Sequence, residues 1–232
     1  MIISVTTEIL EKYGHYNVPR YFINHGVNEE FLRPTDFEEH SGPLRIGLAG
    51  NLIRKDIDRK TLLDIVGNHP EYEFYFWGNY DLSSSNTGGD DDDQTRAFID
   101  SLKNFSHVKL FGPVSPSDLA REYGNVDAFL ICYDINKDQS NGTNYHKVLE
   151  FISTGKLVIS NNITTYSSHP DLVQMTKSRN SNDQLSELFS DCISNLKFWN
   201  SPEKIKIRKD FALDNSYQRQ LERIDEKISL IR

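Results

Sequence analysis

From Leu44 onward the chain repeats one pattern, a short β-branched or aromatic run followed by an amphipathic stretch, and this alternation restricts the fold more than any other feature. Strands separated by helix-length segments are too far apart in sequence for hairpins, so they pair in parallel through crossover helices. Leu44 to Ala49 reads as a strand, Gly50 to Ile57 as a loop, and Asp58 to Gly67 as a helix with Leu62, Leu63 and Val66 on one face. Tyr72 to Trp77 is the next strand. The pattern resumes with a helix over Thr95 to Lys103, a strand over His107 to Phe111, a helix over Ser117 to Tyr123 capped by Ser115 or Ser117, and a strand over Ala128 to Cys132. A helix over Tyr145 to Ser153 ends at Thr154 and Gly155, and Leu157 to Ser160 forms a further buried strand. Leu172 to Thr176 is expected as the last strand. Helices follow over Leu185 to Leu196 and Ser216 to Ile231, the latter with Leu221, Ile224, Ile228 and Ile231 on one side. The expected fold class is therefore α/β, a doubly wound parallel sheet.

Two polar segments interrupt the alternation, Gly78 to Gln94 and Tyr133 to Asn144. The run Asp90 to Asp93 in the first does not have the alternate-position oxygens of a calcium loop, and it reads as a solvated acidic loop that caps the following helix. The first forty residues carry a strand (Ile2 to Thr6), a helix (Glu8 to Tyr13), a strand (Arg20 to Asn24) and a turn before Pro34, too little to bury a core of their own.

A net charge of −8 argues against a nucleic-acid partner, which would require an excess of Lys and Arg. A small diphosphate needs only one or two local cations and a helix N-terminus. Cys132 and Cys192, the two cysteines, are expected as buried apolar filler. No apolar run is long enough to span a membrane, and the first residues lack the pattern of a signal peptide, so a cytoplasmic location is expected.

Several fragments, in order, resemble the C-terminal half of the retaining GT-B glycosyltransferases of the group 1 or family 4 type. INHGVNEEFLRP at Ile23 to Pro34 resembles the crossing between that family's two domains, and IGLAGNL at Ile46 to Leu52 its first strand and loop. VKLFGPVSPSDLAREYGNVDAFLICYD resembles the strand, helix and strand before the active site. YHKVLEFISTGKLVIS at Tyr145 to Ser160 resembles the family signature, and NSYQRQLERI its returning helix. The resemblance implies a Rossmann-like sheet in a single C-terminal GT-B domain with a remnant of the N-terminal domain. Residues 1–40 would end that domain and form the crossing, 41–210 would bind the nucleotide sugar, and 211–232 would pack back across the junction.

In such a sheet the ligand lies beyond the carboxyl ends of the strands, so the loops after Ala49, Phe111 and Cys132 are expected to form the pocket. By the resemblance, Glu150 binds the ribose hydroxyls as a bidentate acceptor; as a bare residue it is also readable as a surface carboxylate at a helix start. Gly142, Thr143 and Asn144 precede that helix, where free N–H groups and the helix dipole suit a diphosphate, although a merely flexible loop would look the same. Lys147 shares a helix face with Glu150, as a phosphate contact or an intrahelical ion pair. Arg54 and Lys55 correspond to the family's catalytic Arg and Lys, which neutralise the leaving diphosphate; the alternative is a pair of exposed loop cations. Gly50 and Asn51 complete the expected substrate-binding set. Two departures stand out: Asn51 occupies the position that is Arg in many relatives, with a spacing to Lys55 one residue short, and Gly142 occupies that of a glutamate beside the transferred sugar. His25 and His146 are readable as pocket residues or as structural histidines.

The resemblance further implies a nucleotide-diphosphate sugar as donor substrate, with no cofactor and no metal, and transfer of a hexosyl group in polysaccharide or glycoconjugate synthesis. The N-terminal acceptor domain is expected to be missing, by truncation or a split gene, leaving the chain inactive alone. Any peripheral membrane proximity would come through the acceptor alone. Two other readings remain: a non-catalytic nucleotide-binding or interaction module on a degenerate GT-B half, and a sugar-nucleotide epimerase, for which no acidic and histidine cluster is evident.

Overall fold

A computed structural model describes residues 1–33, 40–81, 92–137 and 143–230. Its centre is a six-stranded, wholly parallel sheet of β3 (Arg45–Ala49), β4 (Glu73–Trp77), β5 (Val108–Gly112), β6 (Ala128–Ile131), β7 (Leu157–Ser160) and β8 (Gln174–Met175), in the order β5-β4-β3-β6-β7-β8. The chain winds outward from β3 in one direction and restarts at β6 in the other. The crevice at such a reversal is where open α/β sheets receive ligands.

Side-chain alternation separates two cores. Ile46, Leu48, Phe74, Phe76, Leu130 and Ile159 face α3 (Arg59–Asn68), α4 (Asp93–Asn104) and α7 (Leu185–Ser194). Tyr75, Trp77, Phe129, Ile131 and Val158 face α5 (Pro116–Tyr123), α6 (Lys147–Ser153) and α9 (Pro202–Asp214), with a short α8 (Leu196–Trp199) between α7 and α9. Caps set the helix starts: Asp58 accepts from the Thr61 N–H, Asp92 from Thr95 and Ser115 from Asp118. Asp92 thus fulfils the capping part of the acidic-loop reading, and Asp93 lies in the first turn of α4; Asp90 and Asp91 lie outside the described residues.

The N-terminal segment forms a separate two-stranded parallel sheet, β1 (Ile2–Ser4) with β2 (Arg20–Phe22), around α1 (Thr7–Lys12). The crossing then carries α2 (Glu29–Leu32), whose Phe31 packs on Tyr123, with ring centroids 5.6 Å apart. Val27 pairs with the segment before the terminal helix α10 (Tyr217–Ser229), its N–H bonded to the Asn215 carbonyl at 2.9 Å and its carbonyl accepting from the Tyr217 N–H at 3.1 Å.

Three expectations change. α6 starts at Lys147, two residues after the expected Tyr145, and β8 is confined to Gln174 and Met175. The apolar stripe of α10 is not buried: Leu221 and Ile228 are exposed, Ile224 is half-buried, Ile231 lies outside the described residues, and the buried side chain is Gln220, held by the His25 carbonyl and Asn215 Oδ1. No described helix is long and apolar enough to cross a membrane.

Candidate functional site

The carboxyl ends of β3 and β6 frame a narrow crevice with an apolar floor of Leu48, Leu52, Ile57, Leu130 and Cys132 and a rim of Gly50, Tyr133, Tyr145 and Lys147. Burial pushes the Cys132 thiol well above its ordinary range, so it is an inert part of the floor. Tyr133 and Tyr145 lie against each other at the mouth, their ring centroids 4.7 Å apart.

Backbone packing explains the glycines there. Gly50 follows β3 at φ +151°, and its N–H donates to the Trp77 carbonyl at 2.8 Å. A Cβ on Gly50 would lie 2.6 Å from Lys147 Nζ, so the missing side chain is the space the ammonium occupies. Gly78, at the end of β4, packs its α-carbon on the Gly50 peptide; a Cβ there would lie 2.0 Å from the Gly50 oxygen. The loops after β3 and β4 are therefore fixed to one another before any ligand arrives.

Lys147 opens α6, whose first turn has no side-chain cap, and Glu150 follows one turn later. The Glu150 side chain retains 19% of its exposure, with Oε1 3.9 Å from His146 Nε2. Burial raises its carboxyl to about 7, against opposing effects from the charge on Lys147 and from Tyr123. Glu150 does not line the crevice floor; it lies beside the rim, between Lys147 and α5.

The other expected residues separate into three groups. Gly50 and Lys147 meet, while Asn51 shapes their loop by accepting from the Ile53 N–H at 3.1 Å. Arg54 is engaged by Asp56, with Nε 2.8 Å from Oδ1 and a second bond to Oδ2, and this partner raises the guanidinium pKa further. Lys55 lines a different, open cavity beside Asp58, Arg59, Asp92 and Lys137. Thr143 is buried, and its N–H, expected to be free for an anion, donates instead to Thr164 Oγ1 at 2.9 Å. Its carbonyl accepts from Thr165 Oγ1 at 2.8 Å. The Asn144 amide donates to the Val5 carbonyl at 2.7 Å and to Asn24 Oδ1 at 2.8 Å, tying the loop to the N-terminal segment. Gly142 lies outside the described residues.

His25 bonds the Asn144 carbonyl through Nε2 at 3.1 Å, and burial lowers its pKa. A carbonyl only accepts, so Nε2 carries the proton and the neutral ring leaves Nδ1 as an acceptor. His146 packs edge-on against it at 6.2 Å, its own pKa lowered by burial, Lys147 and His25. Sequence reasoning missed Tyr133, Tyr145 and Gly78. The last had a signal, since strand-then-glycine recurs at Trp77 and Gly78 as it does at Ala49 and Gly50.

No protein-family model matches the sequence, and no curated protein matches it. Solved structures do. The glycosyltransferase from Rickettsia africae ESF-5 superposes with a TM-score of 0.72 at 16% identity, over 97% of this chain and 61% of that one. The lipopolysaccharide outer core galactosyltransferase WaaB, in its apo form, gives 0.68 at 14%, over 99% and 62%. Anabaena Alr3699/HepE, in complex with UDP and glucose, gives 0.70 at 12%, over 99% and 63%. The fold is that of the C-terminal half of GT-B glycosyltransferases. The chain spans about three fifths of the length of these proteins.

Proposed function

We propose that this chain is the donor-binding domain of a glycosyltransferase, holding a nucleotide-diphosphate sugar across the carboxyl ends of β3 and β6. The observation that carries the reading is the meeting of Gly50 and Lys147 at the point where strand order reverses, with Glu150 one helical turn away. Lys147 contacts the diphosphate and opposes the charge it gains as the glycosidic C–O bond breaks and the electron pair leaves with the phosphate. Ionised Glu150 accepts the two ribose hydroxyls. Gly50 lets the backbone approach the phosphates, and Asn51, Thr143 and Asn144 fix the paths of the two loops. Arg54 and Lys55 join the leaving group only after the Arg54–Asp56 pair opens. The HepE complex with UDP and glucose supports including uridine nucleotides in any test.

Under this reading the acceptor is bound by a further domain, and the sugar passes to its hydroxyl with retention, in cytoplasmic synthesis of a polysaccharide or glycoconjugate. Residues 1–40 belong to the junction with that domain, 41–210 to the donor domain and 211–232 to the returning helix. Exposed Tyr13, Tyr16 and Val18, in the connection from α1 to β2, and Phe22 of β2 support a partner surface there. A second reading, a module that binds nucleotide without transferring sugar, is favoured by one observation: both cations of the β3 loop are directed elsewhere.

Calorimetry with UDP-, GDP- and ADP-sugars tests the proposal. Saturable binding of one of them is expected, weakened about tenfold by Lys147→Met through loss of one charge-assisted phosphate contact. No saturable binding to any of them, or an unchanged affinity in Lys147→Met, would refute it. Transfer to an acceptor once the further domain is supplied separates the two readings.

A further inference from the structure

Tyr123, the last residue of α5, is fully buried in a nest of aromatic rings. Its centroid lies 5.6 Å from Phe31, 5.6 Å from Trp77, 5.0 Å from Phe129 and 5.3 Å from Phe151. These four come from α2, β4, β6 and α6, so the ring is held from every side. The hydroxyl is buried and closes no hydrogen bond with any described group. Phenylalanine would fill the same nest without desolvating an oxygen, so packing does not account for the hydroxyl.

The groups acting on that hydroxyl are the Glu150 carboxylate and, by charge alone, Tyr133. Glu150 neighbours Phe151 on α6 and keeps part of its side chain open to solvent, whereas the ring is fully enclosed. We propose that Tyr123 is a positioning residue for Glu150, its hydroxyl donating to the ionised carboxylate and holding it charged and oriented for the ribose. The inference rests on the donor-binding reading in its ribose clause; the pairing of Tyr123 with Glu150 stands apart from it.

The charged surroundings are few. On its own helix Glu150 meets His146 and Lys147. α2 carries Glu29 and Glu30, neither of which acts on it, and Arg208 and Lys209 of α9 lie at the far end of α6 by Gly155. Tyr123 is therefore the hydroxyl able to stabilise the charged form of Glu150.

Carboxyl carbon-13 titration of Glu150 in the nucleotide-free protein tests the pairing. In Tyr123→Phe the midpoint is expected to move upward from about 7, because the charged form loses its donor. Nucleotide-sugar affinity at pH 7 is expected to fall roughly 3- to 10-fold, with a smaller loss at pH 9, where Glu150 is ionised in both proteins. In a Glu150→Gln background the same substitution should change affinity by less than about twofold. An unmoved midpoint in a folded variant, or an undiminished loss in that background, would overturn the proposal. If Tyr123→Phe does not fold, the Tyr123 Cζ resonance of the natural protein should follow the Glu150 titration, and a flat response would overturn it as well. If no nucleotide sugar binds, the donor reading fails while the carbon-13 titration still decides the pairing.

Discussion

Replacing Glu150 with Gln should change how stability depends on pH, whatever the ligand. Burial raises the carboxyl from 4.5 to about 7, so between those values the folded chain binds more protons than the unfolded one. Stability then falls as pH rises through this window: the contribution is fully present below 4.5 and gone above about 7. With the Glu150 side chain 19% exposed, little solvent screening reduces the effect, and a shift of this size is worth about 3 kcal/mol. The Gln variant keeps the shape and removes the titration. Urea denaturation of both proteins from pH 4.5 to 8.5 isolates the residue, since other titrating groups are common to both. The natural protein is expected to lose about 3 kcal/mol relative to Glu150→Gln across that range. A constant difference would refute the reasoning, and a difference of opposite sign would mean that Lys147 and Tyr123 outweigh burial.

Gly78→Ala should be severe, because its Cβ would lie 2.0 Å from the Gly50 oxygen, backbone against backbone, at φ +124°. A loss of at least about 3 kcal/mol is expected by thermal unfolding, and a melting temperature unchanged from the natural protein would contradict it. Arg208→Met should cost about 2 to 3 kcal/mol in urea denaturation, since it strips the donors from the buried Gly155 carbonyl and the part-buried Asp171 carbonyl, which Arg208 Nη1 and Nε hold at 2.8 and 3.2 Å. Full stability in that variant would show that the guanidinium's own desolvation cancels those bonds.

The sheet was legible because its central strands β3, β4, β6 and β7 are buried on both faces and its helices on one, a contrast that hydrophobic periodicity records directly. α9 left no such record. Pro202–Asp214 has apolar residues at Ile205 and Ile207, a strand-like spacing, while its buried positions include Arg208 and Ala212; only the Ser201-Pro202 start marks a helix. α10 misled in the opposite sense, its stripe of Leu221 and Ile228 facing outward while a polar Gln220 turns in. At the candidate site, Gly50 was placed after a strand and Lys147 near a helix start by the resemblance, and the structure brings these two together. The engagement of Arg54 by Asp56 was not, because two residues of opposite charge in a loop do not disclose which partner each will choose. Nor was Tyr123, whose nest draws on four elements far apart in the chain.

The stitching of Val27 to Asn215 and Tyr217 bears on how the molecule is made. A ribosome delivers residue 27 nearly two hundred residues before its partners, and Gly26, where a Cβ would lie 2.3 Å from the Tyr217 ring, gains its close neighbour only then. The segment around residue 27 can settle on Tyr123 and Asn144 first, but its bonds to this second partner form only once residues 215 to 217 have emerged. Securing of that backbone is thus completed in two stages, the second set by residues far along the chain.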